Sequence, residues 1–185
     1  MRVITGSARG RPLKSLRGQA TRPTTELLKG ALFNMIGPDI EGKSFLDLYA
    51  GTGGVGIEAL SRGASRAVFI DSSPEAVKVI ADNLRSTGLS ERGRAYLNTV
   101  RAAVDILSHR GQKFDYIFLD PPYEKGYVAP TLAWIGEAGL LAPAGVVIVE
   151  HSRREPIRQP NSFVIWRVTA HGDSVLTFLI CKEEH

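Results

Sequence analysis

Two rhythms of apolar residues run along this chain. Between Glu26 and Ile36 the apolar positions Leu28, Ala31, Leu32, Met35 and Ile36 recur at helical spacing, which gathers them on one face of a helix. Thr24 stands where a cap is needed, Glu26 suits the first turn, and Gly37-Pro38 marks the end. From Lys43 onward short, nearly unbroken apolar runs alternate with amphipathic stretches. Residues 44–49 read as a buried strand, 54–62 as a helix and 67–71 as a second strand. Ser73 followed by Pro74 opens another helix, which Gly88 stops. A weaker strand at 94–98, a helix at 102–109 and strands at 114–119 and 146–149 follow. Residues 163–168 and 175–180 flank His171-Gly172-Asp173, so the chain is expected to close in a hairpin. Apolar strands separated by helices predict a parallel sheet covered on both faces, an α/β fold.

The first residues follow neither rhythm. Arg2-Val3-Ile4-Thr5 and Arg11-Pro12-Leu13-Lys14 flank Gly6-Ser7-Ala8-Arg9-Gly10, which predicts a short two-stranded β-ribbon. Such a ribbon is marginal alone, so it should rest on the main domain or order on a partner. The net charge of +4 is unevenly placed: residues 1–23 hold Arg2, Arg9, Arg11, Lys14, Arg17 and Arg22 and no acid, which leaves the remainder at −2. A basic arm on a mildly acidic body points to a polyanionic partner reached from one end, the alternative being a solvated tail. The organisation expected is therefore an arm over 1–23 and an α/β domain over 24–185. One cysteine, Cys181, excludes an internal disulfide or a cysteine zinc cage. No apolar run approaches membrane-spanning length and the first ten residues lack a signal-peptide pattern. The setting expected is the cytoplasm, with no membrane and no metal.

Gly51-Thr52-Gly53-Gly54-Val55-Gly56 stands between the first strand and its helix and satisfies G-x-G-x-x-G, with Asp71 closing the next strand 20 residues after Gly51. Glycines let a backbone approach a ligand, and an acid after the second strand accepts from ribose hydroxyls. The same turn serves several nucleotide and adenosyl cofactors. Asp47, near the end of the first strand, tilts the reading away from NAD. A pyrophosphate disfavours a nearby carboxylate, whereas the ammonium of S-adenosylmethionine favours one. Loop or helix capping is the alternative for both aspartates.

Asp120-Pro121-Pro122-Tyr123 follows the fourth strand, at the edge where open α/β sheets bind ligands. It suits methylation of an exocyclic amine on a base. That nitrogen is a poor nucleophile because its lone pair is delocalised into the ring. Acceptors aimed at its N–H groups, the Asp120 carboxylate and a carbonyl held by the stiff Pro121-Pro122 unit, favour a pyramidal nitrogen that attacks. Tyr123 offers a ring on which an extruded base stacks. A proline-stiffened loop with Tyr123 packed on the core is the alternative.

These motifs together resemble the bacterial 16S ribosomal RNA guanine-N2 methyltransferases of the RsmD family, within the class I S-adenosylmethionine-dependent methyltransferases. The likeness runs through Ile4-Thr5-Gly6-Ser7-Ala8-Arg9-Gly10-Arg11, Thr21-Arg22-Pro23-Thr24-Thr25, Ala31-Leu32-Phe33-Asn34, Leu46-Asp47-Leu48-Tyr49-Ala50-Gly51-Thr52-Gly53, Glu58-Ala59-Leu60-Ser61-Arg62-Gly63-Ala64, Asp120-Pro121-Pro122-Tyr123 and Gly172-Asp173. It implies a Rossmann-like, seven-stranded, mostly parallel sheet with helices on both faces and an antiparallel last strand. It implies that Asp47, Gly51 and Gly53 border the methionine part of S-adenosylmethionine, that Asp71 holds its ribose, and that Tyr49, Ser72 and Val100 complete the cofactor set. Asp120, Pro121, Pro122 and Tyr123 would hold one guanine of the small ribosomal subunit's 16S rRNA, within an assembling subunit. Arg2, Arg9, Arg11, Lys14, Arg17, Arg22 and Thr24 would contact RNA, and the protein would act as a monomer. Two positions depart from the pattern. Asn98-Thr99-Val100-Arg101 replaces the acid many class I enzymes carry beside the adenine. Gly30, where relatives carry a longer polar side chain, weakens its helix by roughly 0.5–1 kcal/mol.

The competing readings are a DNA or other RNA amino-methyltransferase, a protein-glutamine methyltransferase, a dehydrogenase, and a catalytically silent RNA-binding assembly factor. A DNA enzyme would usually need a separate target-recognition region, for which 185 residues leave little room, and a protein-glutamine methyltransferase typically has Asn where Asp120 stands. Glu150 and His151 either touch the site or cap the sheet, the second being the simpler reading. Arg153 and Arg154 either extend the RNA surface or are solvated.

Overall fold

A computed structural model describes residues 1–16, 23–158 and 161–182. Seven strands form one sheet in the order β3-β2-β1-β4-β5-β7-β6. They are β1 (Ser44–Leu48), β2 (Arg66–Asp71), β3 (Gly93–Leu97), β4 (Phe114–Leu119), β5 (Leu141–Ser152), β6 (Phe163–His171) and β7 (Ser174–Cys181). The first five run parallel, and β7 enters antiparallel between β5 and β6. This is the class I methyltransferase arrangement, hairpin included.

Strand alternation shows why the sheet is covered twice. Phe45, Ala67, Phe69 and Phe118 face one core, whereas Leu46, Leu48, Val68, Ile70, Ile117 and Leu119 face the other. Helices α1 (Pro23–Ile36), α2 (Gly54–Ser61) and α3 (Pro74–Thr87) close the first core; α4 (Val100–His109) and α5 (Val128–Ala138) close the second. Ser73 caps α3 by accepting from the Ala76 amide at 3.3 Å, and Gly88 ends it in the left-handed region at φ 75°.

Several boundaries differ from expectation. Helix α1 begins at Pro23, so Thr24 lies inside its first turn and is not its cap. Proline is pre-organised for the first helical position, which explains the earlier start. Helix α5 has no counterpart in the sequence reading. Pro130 lies within its first turn, where a missing N–H costs nothing, and Val128, Leu132 and Ile135 form its buried stripe. Strand β5 extends well beyond 146–149 because Leu141 already pairs with Phe114; a register shift carries the ladder past Pro143 and Ala144, the latter at φ 60°.

The arm is the short antiparallel ribbon expected, and it rests on the main domain. Val3 donates to the Arg11 carbonyl at 3.0 Å, Gly10 to Val3 at 2.9 Å and Leu13 to Met1 at 2.9 Å around the Arg2–Pro12 bridge, while further backbone donors turn to the body. Ile4 and Thr5 donate to the Glu58 carboxylate at 2.8 and 2.9 Å, Ala8 to Ser61 Oγ at 3.0 Å, and Lys14 to Asn83 Oδ1 at 2.7 Å. Val3, Ala8 and Leu13 are buried in the same core as α1, α2 and α3. Side chains on the body thus satisfy the backbone groups that the two-stranded ribbon leaves unpaired.

Candidate active site

Strand order reverses at β1, whose neighbours are β2 on one side and β4 on the other. Asp47 pairs with Phe118 and Leu48 with Leu119, so the segments after β1 and β4 leave the sheet edge side by side. Ligands of open α/β sheets bind in the crevice this reversal opens.

The glycine turn passes through the left-handed region three times, at Tyr49 (φ 61°), Gly51 (φ 56°) and Gly53 (φ 76°). Tyr49 tolerates a conformation that costs an ordinary residue about 1–3 kcal/mol. Its hydroxyl is bonded to Thr131 Oγ1 at 2.8 Å and its ring lies 6.3 Å from that of Tyr127. A Cβ at Gly51 would meet no atom within 4 Å, so space for a ligand opens there, while one at Gly56 would fall 2.3 Å from the Phe69 ring. The first glycine leaves a cradle; the last lets α2 lie close on the sheet. An adenosyl cofactor that needs close backbone approach fits this turn.

Two carboxylates hold the turn from below and from the side. Asp47 lies on the α1–α3 face, 2% exposed, and accepts from the Gly56 amide at 2.9 Å. Burial, reinforced by the nearby Asp71 charge and opposed by that hydrogen bond, pushes its carboxyl up to about 8. Asp71 Oδ2 accepts from the Gly51 amide at 2.8 Å and Oδ1 from Ser73 at 2.9 Å. Each Asp71 oxygen keeps a lone pair for a hydroxyl donor. Ser72, between them in the chain, is exposed. On the far side of β2, Asn98 donates its amide to the Asp71 carbonyl at 3.0 Å, Thr99 caps α4, and Val100 is buried as its first residue.

The Asp120 amide continues the ladder to the Leu48 carbonyl at 3.5 Å. Asp120 and Pro122 are exposed and Pro121 is buried. The Tyr123 hydroxyl donates to Glu150 Oε1 at 2.9 Å and meets Ser174 Oγ at 2.8 Å. Burial raises both the Tyr123 phenol and the Glu150 carboxyl above their ordinary values, and the hydrogen bond between them partly offsets this for Glu150. Glu155 accepts from the amides of Glu124 at 2.8 Å and Gly126 at 3.1 Å, pinning the rest of the loop. Sequence reading left Glu150 open and missed Glu155 and Ser174. The available signal was a carboxylate at the carboxyl end of an apolar strand. His151 is buried within the β5–β7 ladder, where its Nε2 meets Thr177 Oγ1 at 2.9 Å and its Nδ1 the Ser152 carbonyl at 3.0 Å.

The arm lies on α2 and α3, reaching the glycine turn from behind. Buried Asn83 binds both backbone groups of Lys14 and also donates to the Thr52 carbonyl at 3.0 Å. Glu58, fully buried, also accepts from Arg62 Nε at 2.8 Å and lies 3.4 Å from Lys29 Nζ. Burial lowers the Lys29 ammonium and Glu58 pulls it back up. Arg11 donates to the Ser86 carbonyl at 2.6 Å and Lys14 pairs with Asp82 at 2.8 Å. Arg2 and Arg9 are exposed and line an open groove of about 530 Å³ with Glu26 and Leu27. Arg17 and Arg22 lie outside the described residues, and of Thr24 only the backbone is described. Among the described residues no cluster of His, Cys, Asp and Glu could hold a metal ion, and no helix is long and apolar enough to cross a membrane.

Residues 1–180 match the family model described as conserved hypothetical protein 95. A putative rRNA methyltransferase, YlbH, of Bacillus subtilis is 42% identical over 173 residues, covering 93% of this chain and 94% of its own. The ribosomal RNA small subunit methyltransferase D of Escherichia coli is 32% identical over 150 residues, 81% of this chain and 74% of the relative. Among solved structures, the putative methyltransferase yhhF from Escherichia coli superposes with a TM-score of 0.84 at 27% identity, covering 100% of this chain and 99% of that one.

Proposed function

The chain belongs to the conserved hypothetical protein 95 family, and on that premise we propose that it methylates the exocyclic N2 amine of one guanine in 16S rRNA. The methyl donor is S-adenosylmethionine and the substrate a small subunit in assembly; the protein acts as a cytoplasmic monomer without a metal. The observation that carries this reading is the juxtaposition at the strand reversal. A glycine turn held by Asp47 and Asp71 and a loop headed by Asp120 leave adjacent strands at one sheet edge. Relatives named as rRNA methyltransferases support RNA as the substrate.

S-adenosylmethionine, when bound, supplies an electrophilic methyl group on a sulfonium. Asp71 would accept from its ribose hydroxyls, and Gly51 and Gly53 would border its methionine part above the buried Asp47 carboxyl. Ser72, Val100 and the 98–99 segment would flank its base. Asp120 would accept from the target amine and localise its lone pair, and Tyr123 would carry the extruded base on its ring. Attack renders the nitrogen strongly acidic, so Asp120 need only receive a proton that is already leaving. Arg2 and Arg9 would meet phosphates.

The test has two arms. Thermal-shift titration with S-adenosylmethionine, S-adenosylhomocysteine and NAD should stabilise the protein with the first two only. Mass mapping of rRNA from a strain lacking the protein should show one missing N2-methylguanine. Stabilisation by NAD alone, or an unchanged methylation map, overturns the proposal.

A further inference from the structure

We propose that Glu150 and Ser174 are positioning residues for the target base, acting through the hydroxyl of Tyr123. The inference rests on the reading above, in which the Tyr123 ring carries the base, and extends it to two residues outside the Asp120–Tyr123 segment. A stacking surface needs only a ring face, which phenylalanine also provides. Here the far end of the ring is held from two strands at once, by Glu150 Oε1 at 2.9 Å and Ser174 Oγ at 2.8 Å. Glu150 pairs with Leu176 across the β5–β7 ladder, and Ser174, two residues away, shares the face of Leu176. Both side chains therefore rise from one face to one point.

The near end of the ring is held as well. The Asp120 amide is tied to Leu48, and beyond Tyr123 the loop is fixed where Glu155 accepts from Glu124 and Gly126. Glu124 sits in the left-handed region at φ 57°, and Ser152 Oγ donates to its carboxylate at 3.3 Å. A ring anchored at both ends cannot tilt or slide under the base. Methyl transfer demands an in-line approach, and a displacement of about 1 Å at the reacting nitrogen costs up to about a hundredfold in rate. Setting the plane of the platform is therefore a lever on the chemical step that leaves cofactor and phosphate contacts untouched.

The experiment is single-turnover methylation of small-subunit particles by the wild type, Tyr123→Phe, Glu150→Leu, Ser174→Ala and the double variant Tyr123→Phe/Glu150→Leu. Affinity for S-adenosylhomocysteine is measured alongside. Each single change should lower the rate constant, by at least about tenfold for Tyr123→Phe. The double variant should be no slower than the slower single, because both changes break one link. Reaction amplitude and S-adenosylhomocysteine affinity should stay at wild-type values. A variant that is merely less folded loses amplitude at an unchanged rate constant, which would overturn the proposal. Tyr123→Phe turning over at the wild-type rate, or strictly additive effects, would overturn it too. A wild type that binds S-adenosylhomocysteine yet transfers nothing to the particle would overturn the functional reading itself, and is distinct from these results.

Discussion

Asp120 and Asp47 are two aspartates at the ends of adjacent strands, and burial gives them opposite duties. Asp120 is exposed where a base would arrive; Asp47 lies under the glycine turn. Asp120→Ala should leave S-adenosylhomocysteine affinity intact while single-turnover transfer falls by at least about a hundredfold, the loss typical of one preorganised polar contact. Near-normal transfer would remove Asp120 from the reaction. Asp47 makes a prediction about stability and pH. An unfolded aspartate ionises near pH 3.9, whereas the folded carboxyl is pushed up to about 8. Between those values the unfolded chain sheds a proton that the folded chain keeps, so stability falls as pH rises through the window. Asp47→Asn removes that titration and keeps an acceptor for the Gly56 amide. Urea midpoints of wild type and variant should diverge from about pH 4 to about pH 8, the variant gaining. Parallel profiles would mean that Asp47 is ionised in the folded protein.

At the scale of elements, the arm and the glycine turn are not independent, contrary to the division of labour the charge pattern suggests. Asn83 joins Lys14 to Thr52, and Glu58 takes its backbone partners from Ile4 and Thr5. Deleting residues 1–14 would expose the faces that Val3, Ala8 and Leu13 cover and strip those partners from a buried carboxylate. The deletion should cost more than about 3 kcal/mol, the scale of losing two buried aliphatic side chains, and should weaken S-adenosylhomocysteine binding as well. A urea titration together with calorimetry checks both, and unchanged cofactor affinity would show the Asn83 link to be idle. Charge removal separates recognition from structure. Arg2→Ala/Arg9→Ala should leave stability unchanged, weaken binding to small-subunit particles, and reduce the salt slope by about 0.7–0.9 per lost phosphate contact. A slope equal to wild type would place the RNA elsewhere.

For the whole molecule, two cores on one sheet and an arm built into one of them predict cooperative unfolding. Saturation with S-adenosylhomocysteine at a hundred times its dissociation constant should raise global stability by about 2.7 kcal/mol. Trp134 on α5 and Trp166 on β6 should report the same midpoint, and separate midpoints would reveal two independent units. The sequence by itself determined much of this architecture, because its signals are local. Apolar runs long enough for one strand, Pro74 after Ser73, and Gly88 at a helix end each act within a few residues, and β4 fell where its apolar run does. The motifs of the site were equally legible, since a glycine turn and Asp120-Pro121-Pro122-Tyr123 need specific residues at fixed spacing. Helix α5 is not legible in the sequence although Val128, Leu132, Ile135 and Gly139 carry its pattern, because Pro130 reads as a breaker until its place in the first turn is known. What tertiary structure alone decided are the contacts between residues far apart in the chain. Glu150 and Ser174 converge on Tyr123 across 27 and 51 residues, and Glu58 meets Ile4 across 54. A carboxylate on a helix or at a strand end carries no mark in sequence of the distant donor that hydrogen-bonds to it. Only the folded chain, by burying that charge, selects which donor must be there.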